Sequence, residues 1–291
     1  MMKDLRTYKY GPPLRSMVLL SLILFLASCT EEVDWDLNYQ EEELIVVEGK
    51  ITNETGSHEV RLTRPVYERN GVPEPVHGLE LAINDGRILY PLTEDRTRPG
   101  VYLTPPDFSG EVEKGYQLRI RTGAGLITAV TYMRAVSPFQ FMRPYRVQEN
   151  PPMYEVHIAD SDESAIVRLE LDWGHVPGYE NLPAEETHAL IYHYTLGSID
   201  VNRLFPPDRE QVRFPPGTIV YREKESVNAL YEEFLRGMLS ETDWRGGVFD
   251  VLPGNARTNL SEGAIGYFTA SEVIRDTLVI DQAGQVNIQT W

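Results

Sequence analysis

The stretch "YQLRIRTG" (Tyr116–Gly123) alternates strictly, with Tyr116, Leu118 and Ile120 in one register and Gln117, Arg119 and Arg121 in the other. A period of two marks a strand with one face buried and one face wet, and no helix satisfies it. This pattern recurs along most of the chain and constrains the fold more than any other feature. "ELIVVEGKIT" (Glu43–Thr52) is a β-branched run stopped by "NETGS", and "EVRLTR" sets Val60 and Leu62 against Arg61 and Thr63. "LELAI", "GRILYPL", "GVYLT" and "ITAVTY" follow, broken by Asn-Asp-Gly and Pro-Gly turns. Seven short strands in about 90 residues, with regular turns, predict an Ig-like antiparallel β-sandwich over 41–136.

A proline-marked stretch, "SPFQFMRPYRVQENPPM" (137–153), reads as a linker whose aromatic residues pack between domains. A second β-rich domain is expected over 154–291, from "IVRLELDW", "ALIYHYTL", "GTIVYRE", "DTLVID" and "VNIQTW". One segment breaks the period. In "SVNALYEEFLRGML", Val227, Leu230, Tyr231, Phe234, Leu235 and Met238 fall at helical spacing, which predicts an amphipathic helix over 227–239 with Ser226 as N-cap. The expected fold is mainly β, in two domains, with one packed helix.

The 291 residues contain a single cysteine, Cys29, so no intramolecular disulfide can form and the fold must rest on its own core. Upstream, Lys3, Arg6, Lys9 and Arg15 precede the apolar run Met17–Ala27. Eleven residues are too few to span a membrane, which takes about 20, but they suit the h-region of a secretory signal. "Leu26-Ala27-Ser28-Cys29" resembles the lipobox of bacterial lipoproteins in all four positions. The resemblance implies a leader over 1–28 and a lipidated Cys29 as mature N-terminus, anchored by its acyl chains. Residues 29–40 form an acidic tether. Within it, Glu31 and Glu32, followed by Asp34 and Asp36, resemble the surface-export signal of Bacteroidetes lipoproteins. The expected location is the outer membrane, lipid-anchored and exposed at the cell surface.

The chain carries −17, and residues 1–28 carry a net +3, which leaves −20 for residues 29–291. Such a surface repels nucleic acid and anionic headgroups, so nucleic acid is excluded as a partner.

"GGVFDVLPGNARTNLSEGAIGYFTASEV" (Gly246–Val273) resembles the C-terminal signature of a Bacteroidetes lipoprotein family, domain-of-unknown-function family four-two-four-nine. Pro253, Asn255, Thr258, Asn259, Gly263, Gly266, Tyr267 and Phe268 carry the match. "LIVVEGKITN" (Leu44–Asn53) resembles the family's opening strand, and "GVYLT" and "GYQLRI" resemble the middle of its first domain. The stretch from Asn150 to Glu225 carries no matching motif. The resemblance implies association with a TonB-dependent receptor. Physically, the two glycines admit backbone closed to other residues, and the asparagines can hydrogen-bond local backbone. Those properties suit a structural clamp or a ligand site.

Motifs of chemistry are sparse. "DSDESA" opens like a calcium loop with Asp160, Asp162 and Ser164, but Ala165 stands where glycine is needed and Leu171 where the bidentate glutamate is needed. It reads as a turn leading into a strand. His188 and His193, five apart along a strand, point to opposite faces, and the other histidines scatter. No metal or cofactor is expected. Glu185-Glu186 offers a carboxylate pair, but adjacency carries no weight in a chain with 44 acids. "Asp276-Thr277-Leu278" resembles the O-glycosylation site of secreted Bacteroidetes proteins. Two functions fit. One is a non-catalytic surface lipoprotein that assists a TonB-dependent receptor in nutrient uptake, with aromatics such as Tyr145, Tyr154 or Tyr179 at its interface. The other is a surface hydrolase of glycans or peptides, with its catalytic acids hidden among ordinary ones.

Overall fold

A computed structural model describes residues 44–66, 70–139, 142–148, 150–157, 163–196, 212–242 and 257–289. Cys29, Glu31, Glu32, Pro253 and Asn255 lie outside the described residues, as do Asp160 and Asp162.

Eight strands come first: β1 (Ile45–Thr52), β2 (Glu59–Thr63), β3 (Glu80–Asn84), β4 (Leu89–Pro91), β5 (Thr93–Glu94), β6 (Val101–Leu103), β7 (Lys114–Arg121) and β8 (Leu126–Met133). Next are β9 (Arg143–Gln148), β10 (Met153–His157), β11 (Ala165–Asp172), the short helix α1 (Ala184–Thr187), β12 (His188–Thr195) and β13 (Ile219–Ser226). The helix α2 (Ala229–Thr242) precedes β14 (Ala264–Ser271), β15 (Val273–Ile280) and β16 (Val286–Gln289). Nearly every alternating run becomes a strand, and the mainly β, Ig-like sandwich architecture is present.

The sandwich opposes a five-stranded sheet, β14-β1-β2-β6-β5, to a four-stranded one, β4-β3-β7-β8. Its core takes one register from each strand: Val47 and Ile51, Val60 and Leu62, Leu81 and Ile83, and Tyr116, Leu118 and Ile120. Ile83, Leu118 and Ile120 are fully buried, so truncating any of them to alanine costs about 2–5 kcal/mol. One ladder is parallel. β1 pairs with β14 from Ile45↔Ala264 to Thr52↔Ser271. A parallel pair needs a long crossover, and here the crossover is the whole chain from Asn53 to Gly263.

That ladder corrects the expected division at 154. β14 belongs to the first sandwich, while β15, separated from it only by Glu272, belongs to the second sheet. The second sheet, β12-β11-β13-β15-β16, is antiparallel throughout. The expected linker over 137–153 is also revised. Its Arg143–Gln148 forms β9, which pairs with β10 as a hairpin. Met142, Tyr154 and Phe214 then pack with Leu169, Leu171, Val220 and Leu278 in the second core. Phe139 lies over the Arg222 guanidinium, 4.2 Å from its carbon to the ring centroid.

The expected helix over 227–239 exists but starts at Ala229. Asn228 caps it, its Oδ1 accepting from the Tyr231 N–H at 3.0 Å. Ser226 instead ends β13, and its Oγ accepts from the Glu272 N–H at 2.9 Å. Val227, Leu235 and the partly buried Tyr231 pack on Ile166 at one end of the second sheet. Among the described residues, no helix is long and apolar enough to cross a membrane.

Candidate functional site

The described part of the C-terminal signature is a clamp. Asn259 Nδ2 donates to the Val130 and Phe268 carbonyls at 2.9 and 2.7 Å, and its Oδ1 accepts from the Phe268 N–H at 3.1 Å. One side chain thereby joins β14 to β8. Thr258 Oγ1 donates to the Gly266 carbonyl at 2.7 Å. Gly266 has φ +96°, and a Cβ there would stand 2.2 Å from the Val47 carbonyl oxygen, so the β1–β14 ladder requires glycine. Gly263 has φ +91° in a roomier setting. Phe268 is fully buried in the first core, while Tyr267 turns outward against Tyr231 and Phe234 of α2, with centroids 5.0 and 4.9 Å away. Every described signature residue is spent on packing or backbone contacts.

The expected sites of chemistry lie apart. Glu185 and Glu186 are exposed on α1. Ser164 Oγ donates to Glu232 at 2.5 Å, Ala165 opens β11 and Leu171 is buried, so this end of the "DSDESA" stretch leads a strand. His188 pairs in register with Asp172, and His193 with Val167, on opposite faces of β12. Among the described residues, no three His, Cys, Asp or Glu converge on one point. Thr277 is half-buried in mid-strand, and Asp276 is engaged by Arg222 through Nε at 2.6 Å.

One polar cluster escaped sequence reasoning because its members are 26 and 61 residues from Glu163. Ser137 Oγ donates to Glu163, and Lys224 Nζ donates to the Ser137 carbonyl at 3.0 Å, to Ser137 Oγ at 2.9 Å and to Glu163 at 2.8 Å. Burial pushes the Glu163 carboxyl up, but the hydrogen bonds from Lys224 and Ser137 outweigh burial and hold it below the usual carboxylate range. A nucleophilic serine needs a base to take its proton. Here all three lysine donors are used and the serine proton points at an ionised carboxylate. The geometry is that of a pin holding residue 137 against the second sheet.

A second feature points outward. In β12, the register of Ala189 and Ile191 faces the second core, so Leu190, Tyr192 and Tyr194 face the other way. They are exposed at 50, 52 and 39 %, and Tyr221 of β13 joins them at 43 %. The Tyr192 and Tyr194 rings stack at 6.4 Å with planes 22° apart. Across the face, Tyr192 stands beside Arg168 and then Glu223, while Leu190 stands beside Glu170 and then Tyr221. The interleaved charges pair among themselves: Arg168 with Glu170 at 2.7 Å, Arg275 with Glu223 at 2.7 Å and with Glu54, and Lys50 with Glu225 at 2.6 Å; the His188 ring lies 3.3 Å from Asp172. Burial first, then the neighbouring Tyr192 and Glu225, push the Tyr194 phenol up, so at neutral pH it is an uncharged O–H donor. At the Ile166 end α2 stands over the sheet.

The aromatics named from sequence lie elsewhere. Tyr154 is buried in the second core, Tyr179 packs against that core, and Tyr145 is half-buried with its hydroxyl donating to Glu155 at 2.5 Å. The open aromatic face was hard to see because Ala189 and Ile191 in one register are no more apolar than Leu190, Tyr192 and Tyr194 in the other, so alternation could not separate inside from outside. A shallow cavity of about 280 Å³, lined by Arg143, Pro144, Gly284, Gln285 and Val286, lies between the β9–β10 hairpin and the turn before β16.

No curated protein matches the chain. Among solved structures, a crystal structure of the FN1–FN3 domains of chicken CNTN1 is similar at 12% identity and a TM-score of 0.30, over 62% of this chain and 60% of that one. The chain therefore spans about 60% of that structure's length. A family model described as a domain of unknown function, DUF4249, matches residues 30–214. The match takes in the opening strand and the first-domain motifs. It also runs through 150–214, where sequence reading found no motif, and stops short of the Gly246–Val273 signature. Spanning well over half the residues, it establishes that the chain belongs to the DUF4249 family.

Proposed function

We propose that this chain is a non-catalytic, lipid-anchored capture module on the outer surface of the outer membrane, working beside a TonB-dependent receptor in nutrient uptake. The observation that carries the reading is the open face of the second sheet, where Leu190, Tyr192, Tyr194 and Tyr221 are 39–52 % exposed and present apolar surface that no described residue covers fully. Exposed clusters of this kind mark binding surfaces. The sheet beneath is tied to the sandwich by the β14–β15 junction, the Lys50–Glu225 pair and the Ser137–Glu163–Lys224 contacts. A β scaffold presenting an aromatic face suits capture and handover rather than turnover. The anchor rests on the "Leu26-Ala27-Ser28-Cys29" resemblance, and the receptor rests on the family resemblance.

Fractionation tests the location. The wild type is expected in the outer membrane and accessible on intact cells, and Cys29→Ser is expected to be unlipidated and released. A Cys29→Ser protein that stays in the outer membrane contradicts the anchor. Turnover of a glycan or peptide library by the purified chain contradicts the non-catalytic reading.

A further inference from the structure

Resting on that capture-module reading, we infer that the outer face of the second sheet is a stacking platform for a neutral polysaccharide. The chemistry of the face selects the ligand. Each pyranose ring has a C–H face that lies flat on an aromatic ring and a rim of hydroxyls that donate and accept hydrogen bonds. Tyr192 and Tyr194 offer adjacent, nearly parallel rings, and Tyr221 offers a third. Tyr192 and Tyr221 sit two strands and two residues apart in register, about 12 Å by strand spacing and rise. That distance exceeds one sugar ring, so the platform reads a chain rather than a monosaccharide.

The charges argue for neutrality. Arg168, Glu170, Glu223, Arg275, Lys50 and Glu225 each hold an opposite charge on or beside the face. A charged ligand has to break those pairs, whereas sugar hydroxyls bond to the lone pairs that such pairs leave over. An anionic polymer additionally meets the net −20 of residues 29–291 (−17 for the whole chain less +3 for residues 1–28).

The area argues against a protein. A half-exposed tyrosine offers about 100 Å² of the roughly 200 Å² an aromatic side chain can bury. Three of them give about 300 Å² of aromatic surface, less than the roughly 450 Å² of apolar area within the ~800 Å² per partner of a stable protein interface. A polysaccharide crossing three rings needs no more.

The test uses the detergent-solubilised full chain in native affinity electrophoresis with soluble α-glucan, mixed-linkage β-glucan, xylan and galactomannan, and with polygalacturonate as the acidic comparison. At least one neutral polymer is expected to retard the wild type. Tyr192→Ala with Tyr194→Ala is expected to weaken that binding by about tenfold or more, while Tyr192→Phe with Tyr194→Phe, which keeps both rings, retains most of it. Tyr132→Ala, on the exposed face of β8, is expected to leave it unchanged. No retardation by any neutral polymer, retardation by polygalacturonate alone, or full binding by a folded double alanine variant overturns the inference. If no neutral polymer binds and the double alanine variant instead loses a co-purifying receptor, the face is a protein interface and the polysaccharide assignment falls while the proposed function stands. If no receptor co-purifies, the proposed function falls whichever polymer binds.

Discussion

Asn53 and Val273, 220 residues apart, exchange two hydrogen bonds: the Val273 N–H donates to Asn53 Oδ1 at 2.7 Å, and Asn53 Nδ2 donates to the Val273 carbonyl at 3.2 Å. Val273 is buried at the first position of β15, one residue past the strand that completes the sandwich. The amide of Asn53 thus does for the chain crossing what a neighbouring strand would do within a sheet. With Lys50–Glu225 and the Val136 N–H donating to Glu272 at 2.6 Å, it ties the sandwich to the second sheet. Asn53→Ala leaves two backbone groups without partners and is expected to cost about 1–3 kcal/mol in urea unfolding. A single transition with a lower midpoint is the predicted result, and two separated transitions would contradict the one-unit account.

Gly266 and Gly263 should respond differently to side chains. Both have positive φ, which costs a substituted residue about 1–3 kcal/mol, but only at Gly266 does an added Cβ run into backbone, at Val47. Gly266→Val is expected to lower the melting temperature severely or prevent folding. Gly263→Ala, with its nearest neighbour at 3.9 Å, should cost only the conformational strain. Equal losses at the two positions would count against the parallel ladder.

Asp85 gives the first sandwich an acid-sensitive hold. Burial pushes its carboxyl up, but Lys114 at 2.8 Å and the backbone N–H groups of Ile88 and Arg87 outweigh burial and hold it far below its ordinary value of 3.8. A carboxylate depressed in the folded state binds fewer protons there than in the unfolded chain. Its stabilisation is therefore complete above pH 3.8 and drains away as the pH falls below it. Asp85→Asn is expected to be less stable than the wild type at pH 7, with the gap narrowing towards pH 2–3, an approximate window set by linkage. A gap independent of pH would show that the carboxylate charge contributes nothing.

Most strands were legible because each buries one register in a core, and a period of two survives in sequence whatever the strand pairs with; β9, inside the expected linker, and β14 were not. The pairing itself was not legible. The segment that forms β14 reads as a loop of the second half, pinned to a core by Tyr267 and Phe268, and nothing local in "AIGYFTAS" names β1 as its neighbour. The glycine at 266 held a clue, since only a close backbone approach explains its need, but it does not say whose backbone. Helix α2 was readable from its spacing and its cap was not, because Ser226 and Asn228 are both good caps and only the Ser226–Glu272 contact removes the serine from choice. The aromatic platform was missed for the reason that makes it a platform: Leu190, Tyr192 and Tyr194 are the residues a core would want, placed on the face where α2 packs only at the Ile166 end.

If the acidic tether directs the chain across the membrane, Glu31→Ala with Glu32→Ala should reduce antibody labelling of intact cells while lipidation at Cys29 continues. Undiminished labelling would remove the export role from these two residues and leave them a solvated spacer.

Partnership with a TonB-dependent receptor is tested by affinity purification of the tagged chain, at native expression, from detergent-solubilised outer membrane, with bound proteins identified by mass spectrometry. The prediction is a TonB-dependent receptor recovered with the wild type and lost with Cys29→Ser, and no turnover of a glycan or peptide library by the purified chain. Recovery of the wild type without any such receptor, together with cleavage of a glycan or peptide, would contradict it.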